Sequence, residues 1–167
     1  MNTFEMIWIE SNNILKSDSA YQVRQVYVWA IDKNKKFLIV SKDGSNWQLP
    51  GGKPDPNEPM VATASREMLE ETGINISDRI GDLDFFGYYK VRDLSNDAPP
   101  FLQVRFALNT QGSKTLNYFH TRNEDHNQQQ SETIKHIKLV DGAEAVQLIP
   151  WLSEAGEYKY LKLHNLI

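Results

Sequence analysis

Short bursts of apolar residues separated by polar turns dominate this chain, and helical spacing shows in two places. Phe4, Met6 and Trp8 form a short alternating stretch, and polar residues follow it. Residues 1–20 therefore read as an N-terminal lead-in or edge strand, and residues 21–167 as a single domain. From Val23 to Ile31 the chain is rich in β-branched and aromatic residues, which favour a strand. A polar turn at 32–36 and the apolar run Phe37-Leu38-Ile39-Val40 make that stretch half of a hairpin with a buried strand. Residues 50–57 carry three prolines and two glycines, too many for regular structure. A helix is expected over 58–72. Pro59 suits its first turn, Gly73 its stop, and Val61, Ala64 and Met68 its core-facing side. Further strands are expected at 85–91, 102–108 and 134–140. In the second, Leu102, Val104 and Phe106 alternate with Gln103 and Arg105, giving one buried and one wetter face. Residues 109–131 read as a long polar loop, 141–152 as a helix ending near Pro150, and 158–163 as a terminal segment of open type. Strands, helix, strands, helix describes an α/β layered domain with a mixed sheet.

Composition narrows the function classes. The chain has 167 residues, 40% hydrophobic and 24% charged, with a net charge of −4. That length suits one domain with a full core. The weakly acidic balance argues against a dedicated nucleic-acid or anionic-membrane binder, which needs a basic footprint. There is no cysteine, which excludes disulfides, thiolate catalysis and cysteine-held metals. No apolar run reaches the roughly 20 residues that span a bilayer, and the first ten residues do not resemble a secretory signal. The expectation is a cytoplasmic protein. The four histidines, His120, His126, His136 and His164, show no metal-binding spacing.

The net charge has an address. Between Asp55 and Glu71 lie five acids and one base, Arg66, which together account for the whole −4. Glu67, Glu70 and Glu71 stand at i, i+3 and i+4 and share one helix face. Glutamates on a helix are ordinarily its solvated side. Here a glycine–proline loop precedes the helix, and its backbone can approach a ligand closely. Three crowded carboxylates need positive compensation, and a ligand set made only of oxygen suits a hard cation, Mg²⁺ or Mn²⁺.

The spacing resembles the Nudix box. It runs Gly52, five residues, Glu58, seven residues, Arg66-Glu67-Met68-Leu69-Glu70-Glu71-Thr72-Gly73-Ile74, with every fixed position matched. The resemblance implies a Nudix-type α/β/α sandwich and an enzyme that adds water to a pyrophosphate bond with divalent metal. It implies metal ligands at Glu67, Glu70 and Glu71, with a backbone carbonyl at Gly51 or Gly52. Glu58 would contribute through water or hold the loop, and Arg66 would orient a glutamate. The general base is a box glutamate or a later carboxylate. Glu132, just before the strand expected at 134–140, is the foremost late candidate, with Glu124 and Asp125 as alternatives. Arg24, Lys42, Arg105 and Tyr89 are candidates to meet substrate, as is Trp29. Tyr88 and Tyr89 are read first as packing residues.

The expected substrate is a small nucleoside diphosphate derivative: a nucleoside triphosphate, a nucleotide sugar or ADP-ribose, or a dinucleoside polyphosphate. Removal of pyrophosphate from RNA 5′ ends is a second enzymatic reading, disfavoured by the missing basic stripe. A non-catalytic nucleotide-binding module of the same fold is a third, disfavoured by the intact box. Should the chain self-associate, a homodimer is the form to expect.

Overall fold

The computed structural model describes residues 3–109 and 136–167. Among these described residues, eight strands and three α-helices follow in order: β1 (Phe4–Glu10), β2 (Val23–Ile31), β3 (Phe37–Ser41), β4 (Trp47–Gln48), β5 (Gly51–Gly52), α1 (Met60–Thr72), β6 (Leu83–Asp93), β7 (Phe101–Asn109), β8 (His136–Val140), α2 (Gly142–Leu148) and α3 (Gly156–Leu163). The sheet runs β1-β6-β7-β2-β3-β4, with β5 paired to β2 and β8 paired to β3. It is mixed: β2 and β7 run parallel, and the other pairs are antiparallel.

Alternation along β2 divides the core between the two faces. Val26, Val28 and Ala30 pack with Ala64 and Met68 of α1 on one side. Trp29 and Ile31 pack with Ala145 of α2 and Tyr158 and Leu161 of α3 on the other. Helices thus cover both faces, as an α/β/α arrangement requires. Trp29 is wholly buried, its ring 4.7 Å from Phe37. It is a core residue, which corrects its candidacy for contact with substrate.

Several elements depart from the sequence expectation. β2 and β3 share a single register pair, Ile31↔Phe37. The turn between them forms, with the Asp32 carboxylate accepting from the N–H groups of Asn34 and Lys36 at 2.8 Å. The strands then splay: β5 takes the middle of β2 at Val26 and Tyr27, β4 takes the same edge of β3 at Val40 and Ser41, and β8 pairs along the other edge of β3. Helix α1 begins at Met60, so Glu58 stands before it and its first turn holds no acid. α2 ends at Leu148, and Pro150 opens a separate 3-10 turn over Pro150–Glu154. The terminal segment is a helix, α3. Among the described residues, no helix is long and apolar enough to cross a membrane.

β1 is an edge strand paired with β6 over seven residues. Its Trp8 ring lies over Gly87 of β6 and against Gly156 of α3. A Cβ at either glycine would come within 2.4 Å of that ring. The amino-terminal strand thereby seats α3 on the sheet.

Candidate active site

Helix α1 turns its apolar side inward and its carboxylates toward the β5 backbone. Arg66 organises them. Its Nε donates to Glu58 Oε1 and its Nη2 to Glu58 Oε2, both at 2.9 Å, a bidentate pair. Its Nη1 donates to Glu67 Oε1 at 2.8 Å and reaches Glu70 Oε2 at 3.4 Å, while Nη2 also meets the Lys53 carbonyl at 3.0 Å. A planar guanidinium suits such forked contacts, and a lysine could not reproduce them. Glu58 further accepts from Thr63 Oγ1 at 2.8 Å and from the Asp55 N–H at 3.0 Å. Its carboxyl is held down to about 2, chiefly by Arg66. Glu58 therefore ties the loop to the helix.

The two glycines of β5 admit these carboxylates. A Cβ at Gly52 would lie 2.3 Å from Glu67 Oε1. Gly51 has a φ of +151°, and a Cβ there would lie 2.1 Å from the Val26 carbonyl oxygen. The Gly51 N–H donates to Glu71 Oε2 at 2.8 Å. Burial pushes the Glu71 carboxyl up to about 7; the Glu67 charge adds to this, while the Gly51 N–H and Lys42 oppose it. Burial also raises Glu67, in spite of its bond to Arg66. Glu70 is half exposed.

This pattern fits a hard divalent cation. The donors are all oxygens, and buried Glu67 with half-buried Glu71 carries more negative charge than its neighbours compensate. Among the described residues, Glu67 Oε2 and Glu71 Oε1 accept no hydrogen bond, so each carboxylate keeps one oxygen for a ligand. No three acidic or imidazole groups among the described residues form a ready-made metal cage. Mg²⁺ needs none, since it is commonly held by one or two carboxylates together with water and substrate phosphates.

Beside the carboxylates a cavity of about 470 Å³ opens on the α3 side of the sheet. Tyr27, Gln103, Arg105 and Tyr89 line it from β2, β7 and β6. Gln48 and Leu49 line it from the segment before β5, Trp151 and Glu154 from the 3-10 turn, and Met6 from β1. Tyr27 joins the cavity to the carboxylates: it pairs with Gly51 in the sheet, and the Glu71 and Glu67 charges raise its hydroxyl pKa, although burial is the larger cause. Trp151 is 57% exposed at the rim.

The candidate substrate residues divide accordingly. Arg105 and Tyr89 line the cavity. Lys42 lies close enough to Glu71 to lower its pKa. Arg24 stands exposed at a β-bulge with its guanidinium 4.6 Å from the Phe101 ring centroid, and it does not line the cavity. Tyr88 is a buried packing residue whose hydroxyl donates to Asp18 at 2.7 Å. Glu132, Glu124 and Asp125 lie outside the described residues. The wetter face of β7 is the cavity face, yet Arg105 on it is only 4% exposed. Sequence reasoning missed Tyr27, Gln48, Trp151 and Glu157. The i, i+2 alternation of β2 could have placed Tyr27 opposite the α1 face; nothing in the sequence marked Glu157.

Comparisons with known proteins agree with this geometry. The profile of the NUDIX domain matches residues 22–161. A Bacillus subtilis protein described as a candidate 8-oxo-dGTP diphosphatase is 43% identical over 58 residues, 33% of this chain and 39% of that protein. A second from the same organism, YtkD, described in the same terms, is 30% identical over 106 residues, 63% of each chain. The chain thus spans less than two thirds of the length of either relative. The crystal structure of a point mutant of the Bacillus subtilis pyrophosphohydrolase BsRppH superposes with a TM-score of 0.53 at 19% identity, covering 80% of this chain and 70% of that one, and so shares the fold. With a complete box, a mixed sheet between helices and a domain profile matched over residues 22–161, the chain belongs to the NUDIX domain family.

Proposed function

We propose that this chain is a divalent-metal-dependent pyrophosphohydrolase that splits the diphosphate linkage of a small nucleotide, with Mg²⁺ or Mn²⁺ as the metal. The observation that carries this reading is buried Glu67 with half-buried Glu71, each with one oxygen unbonded among the described residues and linked through Tyr27 to a cavity large enough for a nucleoside. Glu67, Glu71 and the more exposed Glu70 would hold the metal, with the Gly52 carbonyl as a further oxygen donor. The bound metal would neutralise phosphate charge and lower the pKa of a water. Arg66 orients Glu67 through Oε1 and fixes the loop through Glu58, the Gly51 N–H orients Glu71 through Oε2, and Lys42 adds positive charge beside Glu71. Tyr27, Trp151 and Met6 offer apolar surface to a base, and Gln48 and Gln103 offer amides to its edge. The proton acceptor for the attacking water is assigned to Glu132 on sequence position, with Glu70 as the alternative within the box. We place the activity in the cytoplasm by the same reading.

A hydrolysis screen tests it. The substrates are nucleoside triphosphates, oxidised ones included, ADP-ribose, nucleotide sugars, dinucleoside polyphosphates and triphosphorylated RNA, each with Mg²⁺, with Mn²⁺ and with chelator. Metal-dependent release of a mononucleotide supports the reading. Inactivity across the whole panel with both metals overturns it.

A further inference from the structure

The cavity floor holds an ion pair that the hydrolytic reading leaves without a task. Glu157, in the first turn of α3, is fully buried, and Arg105 of β7 is nearly so. Arg105 Nε donates to Glu157 Oε1 at 2.9 Å. The other Glu157 oxygen accepts from the Tyr89 hydroxyl, which in turn accepts from the Gly156 N–H at 2.8 Å. The guanidinium carbon lies 4.6 Å from the Tyr27 ring centroid and 5.1 Å from that of Tyr89. Arg105 is thus held along its Nε edge by Glu157 and against its faces by two aromatic rings.

A buried ion pair is a poor means of stabilising a fold, since desolvation offsets most of the attraction. This one accomplishes two other things. It cancels the charge of Arg105, so the cavity floor offers no net attraction for a phosphate. It also leaves the terminal nitrogens as donors. Nη1 makes a long contact of 3.3 Å with the Val104 carbonyl, and Nη2 has no partner among the described residues. A neutralised, immobile donor at the floor of a partly aromatic cavity suits a neutral acceptor, such as a carbonyl oxygen on a flat ring. An exocyclic amine at that place would set donor against donor.

We infer that Glu157 is a positioning residue that fixes Arg105 as the cavity's hydrogen-bond donor, so that the cavity selects a 6-oxopurine over a 6-aminopurine nucleotide. The remaining terminal nitrogen can donate to the O6 acceptor of a 6-oxopurine, where a 6-aminopurine presents a donor instead. The inference rests on the cavity's being the base site of the proposed pyrophosphohydrolase.

Its test reads binding, so that it stands apart from catalysis. Guanosine and adenosine monophosphates are titrated by calorimetry into the full chain, into Arg105→Lys, which keeps the charge for Glu157 but loses the planar fork, and into Glu157→Gln. Circular dichroism checks folding. The wild type is expected to prefer the guanine nucleotide by about tenfold or more, as one hydrogen bond from a charged donor allows. Each folded variant should narrow the preference to less than about threefold, chiefly by weakening the guanine nucleotide. A purely structural Glu157 would weaken both nucleotides alike or lower Tm with the ratio kept, and that result overturns the inference. So does a wild-type ratio near one, or no binding of either nucleotide. If Glu157→Gln does not fold, Arg105→Lys decides. Binding with the expected preference but no hydrolysis in the screen would sink the proposed activity while leaving the base selection standing.

Discussion

Glu71 shows how one carboxylate reports the state of its site. Its folded pKa of about 7 lies above its ordinary value of 4.5. A raised carboxylate favours the fold fully below its ordinary pKa and loses that contribution as pH rises through the folded one. The metal-free protein should therefore lose thermal stability between about pH 4.5 and 7, and Mg²⁺ should restore more of it at pH 8 than at pH 5. Glu71→Gln should abolish that upper limb, since an amide still accepts from the Gly51 N–H, and should lose metal-dependent turnover. Thermal unfolding across pH, with and without Mg²⁺, checks both outcomes. Glu58 has the opposite sign. It is held at about 2 by Arg66, so its contribution is complete above pH 4.5 and fades as pH falls toward 2. Asp18, lowered by its bonds to Lys90 and Tyr88, fades in the same direction below its ordinary 3.8. The acid limb of the same unfolding series should steepen in wild type and flatten in Glu58→Gln.

At the level of elements, the site is a helix docked on two glycines. Gly52→Ala would set a methyl group 2.3 Å from Glu67 Oε1, an oxygen already held by Arg66. The carboxylate must move, so turnover should fall by about a hundredfold or more, as misplacing a catalytic group typically costs. The fold should lose no more than about 1–3 kcal/mol, the usual cost of overpacking. Activity assay and urea denaturation separate the two effects. Gly73 differs. It closes α1 at a φ of +72°, with its N–H on the Leu69 carbonyl at 2.9 Å and nothing within 4 Å of a would-be Cβ. Gly73→Ala should cost about 1–2 kcal/mol through backbone conformation alone, with kcat unchanged. Two glycines in one motif thus serve different ends: one makes room for a carboxylate, and the other lets the chain turn left-handed. The spacing of the box was legible in the sequence. The contact that requires Gly52 was not, because it depends on β5 pairing with β2.

Across the whole molecule, the cavity depends on elements far apart in the chain. Trp8 of β1 lies between Gly87 of β6 and Gly156 of α3, its ring 5.1 Å from Tyr89 and 5.8 Å from Phe86. Trp8→Ala should loosen α3 from the sheet, lower stability by about 3 kcal/mol, and weaken nucleotide binding although Trp8 does not line the cavity. Denaturation and ligand titration on the same sample check this. The cavity's lining comes from β1, β2, β6, β7, the segment before β5 and the turn before α3. No local window of sequence contains that list.

The sequence alone settled what depends on short-range spacing. A helix carries its periodicity in every turn, so the shared face of Glu67, Glu70 and Glu71, the inward side of Ala64 and Met68, and the stop at Gly73 could be read from residue order. The alternation of β7 likewise revealed a face distinct from the core. Tertiary structure decided what depends on which strands become neighbours. It split the apparent hairpin of β2 and β3, because β5 and β4 take the edges the two strands would share. It buried Trp29 in the core and joined Arg105 to Glu157 across 52 positions of chain. Pairings of that kind are set by the burial of the whole sheet, a property no single segment carries.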